Sequence, residues 1–200
     1  MTKYRALLLV GAPGSGKGTQ GKALGMLPGF FHCACGDVFR SIDVHTDLGK
    51  AFLEYSSKGL LVPDEASIEL WQIRIRDCEK NRMLNPGLDY LVLDGIPRNV
   101  TQARLMDSIV EVKKVFYLEC PSRDELATRL RKRALKENRL DDAKETVIKR
   151  RLEIFEQEAK ALLAHYPASL IIHLDALRPP HVVMSEILNC VIRSEGDATD

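Results

Sequence analysis

The sequence predicts an α/β fold: a doubly wound, parallel, five-stranded sheet in a three-layer arrangement with helices on both faces. Three observations predict it. Apolar runs such as Ala6-Leu7-Leu8-Leu9-Val10 and Tyr90-Leu91-Val92-Leu93 are continuous rather than alternating, as strands buried on both faces are. They alternate with longer segments of helical periodicity. The first run leads directly into Gly11-Ala12-Pro13-Gly14-Ser15-Gly16-Lys17-Gly18-Thr19, a glycine-rich turn of the kind that joins a buried strand to a helix.

Taken in order, strands are expected at residues 4–10, 30–33, 90–94, 114–119 and 170–174. Helices are expected at 17–26, 64–82, 100–108, 123–136, 141–165 and 180–192. Residues 36–82 are too long for one crossover and hold several helical patterns, so they read as a small helical insert. Residues 134–142 form a short polar break between two helices. Cys33 and Cys35 alternate along an expected strand, which would put both on one face. Residues 194–200 are polar and read as a disordered tail.

Composition narrows the class. The chain has 200 residues, 45% of them hydrophobic, and a formal net charge of +1. That balance gives no reason to expect nucleic acid or a membrane surface as a partner. Charge is concentrated locally: residues 123–151 hold eleven Lys and Arg against six Asp and Glu. No apolar run reaches the length of a membrane span, and the first one is too short for a secretory signal. Five cysteines without a C-x-x-C pair argue against a structural zinc and for a reducing, cytoplasmic setting.

The glycine turn carries the first chemistry. Glycines let backbone N–H groups crowd around phosphate oxygens, because no Cβ blocks the approach. A helix starting near Gly16 would aim its unpaired N–H groups at the same anion. Lys17 would reach the terminal phosphates as a point charge. The usual pattern has a hydroxyl directly after the lysine, whereas this chain has Gly18 and only then Thr19. Thr19 therefore holds a phosphate or a Mg²⁺-bound water, or only caps the turn. Asp94 ends a second buried strand, where an acid either closes the turn or orients Mg²⁺, directly or through water. His32 reads as structural, and Trp71 as packing on its helix.

Arginines supply the second signal. Moving a phosphoryl group between two nucleotides gathers several negative groups in one cleft and needs no covalent nucleophile. The planar, permanently charged guanidinium suits that task. Arg40 follows a Gly-Asp helix start, Arg98 follows a strand end, and Arg129, Arg133, Arg139 and Arg150 form a cluster.

Together these motifs resemble the adenylate kinases of the nucleoside monophosphate kinase group, over about residues 5–192. Residues 11–20 resemble that group's phosphate loop, Gly18-Thr19 included. His32-Cys33-Ala34-Cys35-Gly36-Asp37-Val38-Phe39-Arg40 resembles the segment that opens the monophosphate-binding insert. Gly59-Leu60-Leu61-Val62-Pro63-Asp64-Glu65 resembles the stretch lining the AMP base. Asp94-Gly95-Ile96-Pro97-Arg98 with Gln102 resembles the group's most diagnostic motif, and Arg139-Leu140-Asp141-Asp142 the segment after a short lid.

The resemblance implies roles. Gly14, Ser15, Gly16, Lys17, Gly18 and Thr19 would hold the ATP phosphates. Arg129 and the backbone near Arg178 would sit at the ATP base, with Arg133 on ATP. Arg40 and Arg98 would bind the AMP phosphate, and Gln102 the adenine. Cys35, Leu60, Leu61, Val62, Gly95, Ile96 and Pro97 would line the AMP site. Arg139 and Arg150 would contact the transferring phosphoryl and the acceptor. Lys17, Arg98, Arg133, Arg139 and Arg150 would be catalytic, and Asp94 would hold Mg²⁺ through water. Arg151 directly follows Arg150, and ungapped spacing from Arg139 selects Arg150.

One domain is implied, with a core (1–33, 63–131, 143–193), an insert (34–62), a lid (132–142) and a tail (194–200). The implied reaction is reversible, Mg²⁺-dependent transfer from ATP to AMP giving two ADP, by a monomer. Two departures stand out: Cys35 replaces a usual threonine, and Ile96 a usual aromatic. Asn99 and Cys35 lean toward a UMP/CMP kinase of the same group, and Gln102 leans toward adenine. A non-catalytic ATP-binding protein of another class would have no use for Arg40, Arg98 and Gln102.

Overall fold

A computed structural model describes residues 3–43, 45–137 and 144–196. Its centre is β1 (Tyr4–Gly11), flanked by β3 (Tyr90–Asp94) and β4 (Val110–Glu119). Outside these lie β2 (Phe30–Ala34) and β5 (Ile171–Asp175). The order is β2-β3-β1-β4-β5, and every pairing is parallel. The chain thus winds to one side of β1 and then to the other. Such a switch point opens a crevice beyond the carboxyl ends of the strands.

Period-two geometry explains why the β1 run is continuously apolar. Ala6, Leu8 and Val10 face one layer, packing with Trp71, Ile75 and Cys78. Leu7 and Leu9 face the other, packing with Leu24, Val183, Ile187 and Val191. Both faces are buried, so no position in the run can be polar. A third cluster joins Ala12, Leu126, Leu130, Ile148 and Leu152 behind the glycine turn.

The helices are α1 (Lys17–Leu24), α2 (Cys35–Arg40), α3 (Asp47–Ser57), α4 (Asp64–Lys80), α5 (Val100–Met106), α6 (Arg123–Glu137), α7 (Glu145–Ala164) and α8 (Pro180–Gly196). Helices α2, α3 and α4 lie between β2 and β3. Thr46 caps α3, its Oγ1 accepting from the Gly49 N–H at 3.1 Å. Phe39 of α2 stacks on Phe52 of α3, centroids 5.2 Å apart. Trp71 is 1% exposed and packs in the core, as its helix position predicts. No helix among the described residues is long and apolar enough to cross a membrane.

Four expectations change. Cys35 is not on a strand: β2 stops at Ala34 and Cys35 opens α2, although both thiols are buried in the same cluster. Strand β4 begins at Val110, four residues early, because Glu111 and Lys113 lie exposed along its edge and break the apolar run. Helix α6 runs one residue past its expected end, to Glu137, through the start of the expected polar break. Helix α8 runs on to Gly196, into the expected tail. Arg139 lies outside the described residues.

Candidate active site

A cleft of about 740 Å³ opens beyond the carboxyl ends of β1, β2 and β3. The glycine turn forms one end. Gly14 (φ +86°) and Gly16 (φ +99°) take left-handed backbone that favours glycine. A Cβ on Gly14 would sit 2.8 Å from the Leu126 carbonyl oxygen, so the turn lies flush on α6. A Cβ on Gly16 would meet no atom within 4 Å among the described residues; it would project into the cradle itself. The Ser15 hydroxyl is buried there and finds no partner among those residues. A buried orphan donor beside the start of a helix suits an anion.

Lys17 Nζ donates to the carbonyls of Gly11 at 2.7 Å and Ala12 at 3.0 Å. Burial pushes its pKa down to about 8; Asp94 opposes this, while Arg133 and Arg98 add to it. Parallel register sets Asp94 beside Leu9 of β1, which brings its carboxylate next to the loop. A Cβ on Gly18 would stand 3.3 Å from Asp94 Oδ2. A Cβ at position 18 would thus make a tight contact with the acid. His32 packs against α1, where a Cβ on Gly21 would fall 2.3 Å from its Nε2. That nitrogen lies 3.8 Å from Asp94 Oδ2.

No cluster of three or more His, Cys, Asp or Glu among the described residues is arranged to hold a metal. Magnesium does not require one, since it keeps several waters and takes one or two carboxylates plus substrate phosphates. Asp94 beside the orphaned Ser15 loop fits that donor set.

The other end of the cleft is built from the insert and the β3–α5 turn. Arg98 Nε donates to the Gly95 carbonyl at 2.8 Å, and Arg40 pairs with Asp37 at 2.8 Å. Cys35, Leu60, Leu61, Val62, Gly95, Pro97 and Gln102 all line the cleft. Burial pushes the Cys35 thiol up to about 11, so it stays protonated at neutral pH. Asn99, which leaned toward pyrimidine acceptors, has a structural duty. It caps α5, its Oδ1 accepting from the Gln102 N–H at 2.8 Å.

Arginines close the cleft from α6, α7 and the β5–α8 turn. Arg129 is held by Glu125 at 2.8 Å and donates to the Ala176 carbonyl at 2.8 Å. Arg133 and Arg178 line the cleft, and Arg178 pairs with Glu186.

Two sequence-derived positions do not reach the cleft. Ile96 is 2% exposed and belongs to the core cluster beneath it, because the turn after β3 sends alternate side chains inward and outward. Arg150 is half exposed and faces Glu153 at 3.8 Å, whereas Arg151 lines the cleft. The signal lay in α7 itself: Arg151, Ile154, Phe155 and Leu162 form one helical stripe facing the cavity. Lys132 and Lys136 also line it, one turn apart on α6.

The comparisons agree with this geometry. A family model described as adenylate kinase matches residues 9–170. The adenylate kinase of Streptomyces avermitilis is 32% identical, covering 95% of this chain and 98% of its own. That of a Cyanothece species is 33% identical over 96% and 97%. That of Caldicellulosiruptor bescii is 33% identical over 81% and 86%. The phosphate loop, the arginine-lined cleft and these matches over most of the chain lead to one conclusion: the chain belongs to the adenylate kinase family.

Proposed function

We propose that the chain transfers the γ-phosphoryl group of ATP reversibly to AMP, giving two ADP. The observation that carries this reading is one continuous cleft with two unlike ends, a lysine-bearing glycine loop and an arginine-and-amide wall. A nucleotide-binding switch would need only the first.

At the donor end, the amides of Gly14 to Thr19 and the Ser15 hydroxyl would hold the ATP phosphates. Lys17 would leave its loop carbonyls for the β- and γ-oxygens. Arg129, with the backbone near Arg178, would support the ATP base, and Arg133 would meet charge spreading onto the equatorial oxygens. Asp94 would hold Mg²⁺ through water, and the metal would neutralise charge on the β- and γ-phosphates.

At the acceptor end, Arg40 and Arg98 would grip the AMP phosphate in line with the departing group. Cys35, the backbone of Leu60, Leu61 and Val62, and Gln102 would receive the base. The acceptor oxygen is already ionised, so no strong general base is required. Arg139, by resemblance, and Arg151, by its cleft-facing position, would join the transferring group. Closing of the insert would exclude water, which otherwise competes as acceptor. Cys33, Cys35 and Cys78 are buried free thiols, which supports a cytoplasmic setting. We expect a monomer, since one chain lines both ends of the cleft; light scattering checks it.

Incubating the enzyme with Mg-ATP and AMP, CMP, UMP or GMP, and following ADP, tests the function. AMP is expected to be the best acceptor. Faster turnover with CMP or UMP, or ATP binding with no AMP-dependent ADP, would overturn it.

A further inference from the structure

We propose that Asp64 is a positioning residue for acceptor specificity: it locks the Gln102 amide in one orientation, so that the site takes an amino-substituted base and refuses its oxo counterpart. This rests on the reading of Gln102 as the contact to the acceptor base.

Gln102 is 2% exposed, yet it lines the cleft. Its Oε1 accepts from the Arg98 backbone N–H at 2.8 Å. Its Nε2 donates to Asp64 Oδ1 at 2.8 Å. A backbone N–H can only donate, and a carboxylate can only accept. Turning the amide by 180° would set N–H against N–H at one end and carbonyl against carboxylate at the other. Both contacts would be repulsive and buried, where such mismatches cost most. Asp64 is itself fixed: Asn99 Nδ2 donates to its two oxygens at 3.0 and 3.1 Å. Asn99 also accepts from the Gln102 backbone, so the three side chains form one closed unit.

Two valences of the amide remain, one N–H and one oxygen lone pair. Adenine offers an exocyclic amine beside a bare ring nitrogen, which is a donor beside an acceptor. A 6-oxopurine offers a carbonyl beside a ring N–H, the same pair reversed. An amide free to turn serves both edges; one that cannot turn serves only one. With AMP as acceptor, that edge is the amino one. Asp64 touches no substrate in this account and acts only through Gln102.

Inosine monophosphate is the probe, because it differs from AMP only in this edge. The ratio of kcat/KM for AMP to that for inosine monophosphate is measured in the wild type and in Asp64→Ala, Asp64→Asn and Gln102→Ala. Asp64→Ala should lower the ratio about 10-fold while AMP turnover persists. Asp64→Asn keeps a carbonyl acceptor and should restore most of it. In a Gln102→Ala background, Asp64→Ala should change the ratio no further. A wild-type ratio in Asp64→Ala, with a lowered ratio in Gln102→Ala, sinks the role of Asp64 and leaves the reading of Gln102 standing. An unchanged ratio in Gln102→Ala sinks that reading itself. Asp64→Leu, which fills the volume without an acceptor, replaces the alanine variant if that chain does not fold. Emission from Trp71, the one tryptophan of the chain, reports folding in each.

Discussion

The donor end of the cleft stands on the sheet, whereas the acceptor end is shared between the helices that leave the sheet between β2 and β3 and the turn from β3 into α5. At the donor end the loop grows straight out of β1, whose side chains are almost wholly buried, and it lies flush on α6. Its lysine is part-buried and bonded to its own loop. At the acceptor end the cationic groups are tied to partners on their own segments, Arg40 to Asp37 and Arg98 to Gly95. Its packing includes one aromatic stack between two short helices. The donor end stores an electrostatic cost in a rigid frame. The acceptor end stores hydrogen bonds that a ligand must exchange for its own. Substitutions at the two ends should therefore separate activity from stability in different ways.

Lys17→Met is expected to give the largest effect, a fall in kcat of about 10³-fold, the scale for losing a preorganised cation in phosphoryl transfer. Stability should not follow. Folding lowers the Lys17 pKa from 10.5 to about 8, so between those values the unfolded chain holds the proton more tightly. Stability is then penalised below pH 8 and rises as pH climbs toward 10.5, by about 3 kcal/mol in all. Removing the amine removes the penalty and two hydrogen bonds together. The melting temperature of Lys17→Met at pH 7 should hold or rise, and its increase between pH 8 and 10.5 should flatten relative to wild type. A melting temperature that drops sharply would mean that the lysine is a structural strut of the loop.

The same shift predicts a pH–rate limb. If Lys17 acts as the proposed cation on the phosphates, the free enzyme needs it protonated, and kcat/KM for ATP should decline above about pH 8. Bound phosphates favour the charged amine, so the limb in kcat should lie at higher pH. A flat kcat/KM profile to pH 10 would contradict the burial argument.

Arg98→Ala tests the acceptor end. In the proposed reaction two anionic groups would meet at Arg98, and its loss should cut kcat/KM for AMP about 100-fold. The KM for ATP should change little, and the melting temperature by only a few degrees, since the Arg98 side chain is part-buried and bonded to one carbonyl. A matching rise in the ATP KM would show that the two ends are not separable.

What could be read from the sequence divides along the same line. The donor end is local: nine consecutive residues after a buried strand carry its strand, turn, lysine and helix start. Even the odd Gly18 is legible there, although the Asp94 carboxylate it lies against belongs to another strand. The acceptor end depends on contacts across 35 or more positions, such as Asp64 with Asn99 and Gln102. No spacing rule announces such a triad. Ile96 failed for a different reason: a motif names a run of residues but not which of them turn inward. Cys35 failed because a strand that breaks into a helix keeps its apolar pattern across the junction, since both thiols are buried.

The smallest effect is expected from the pair Arg150 and Arg151, and it is the sharpest test of geometry over spacing. Consecutive residues on a helix point about 100° apart, so the two arginines meet different surroundings, and Arg151 is the one that lines the cleft. The buried stripe of α7 runs through Ile148, Leu152, Ala159 and Leu162, and Arg151 borders it on the cleft side. Arg150 lies nearer the insert, where a Cβ on Gly59 would come 3.5 Å from the Arg150 Cβ, and among the described residues its guanidinium pairs with Glu153 at 3.8 Å. An exposed pair of that kind contributes little. Arg151→Ala should therefore lower kcat/KM about 10-fold, and Arg150→Ala by less than about twofold. Arg151→Lys should recover little, because an ammonium cannot reproduce the planar fork on phosphate oxygens. If Arg150→Ala proves the more damaging, α7 turns on closure, and the acceptor end rearranges further than the donor end.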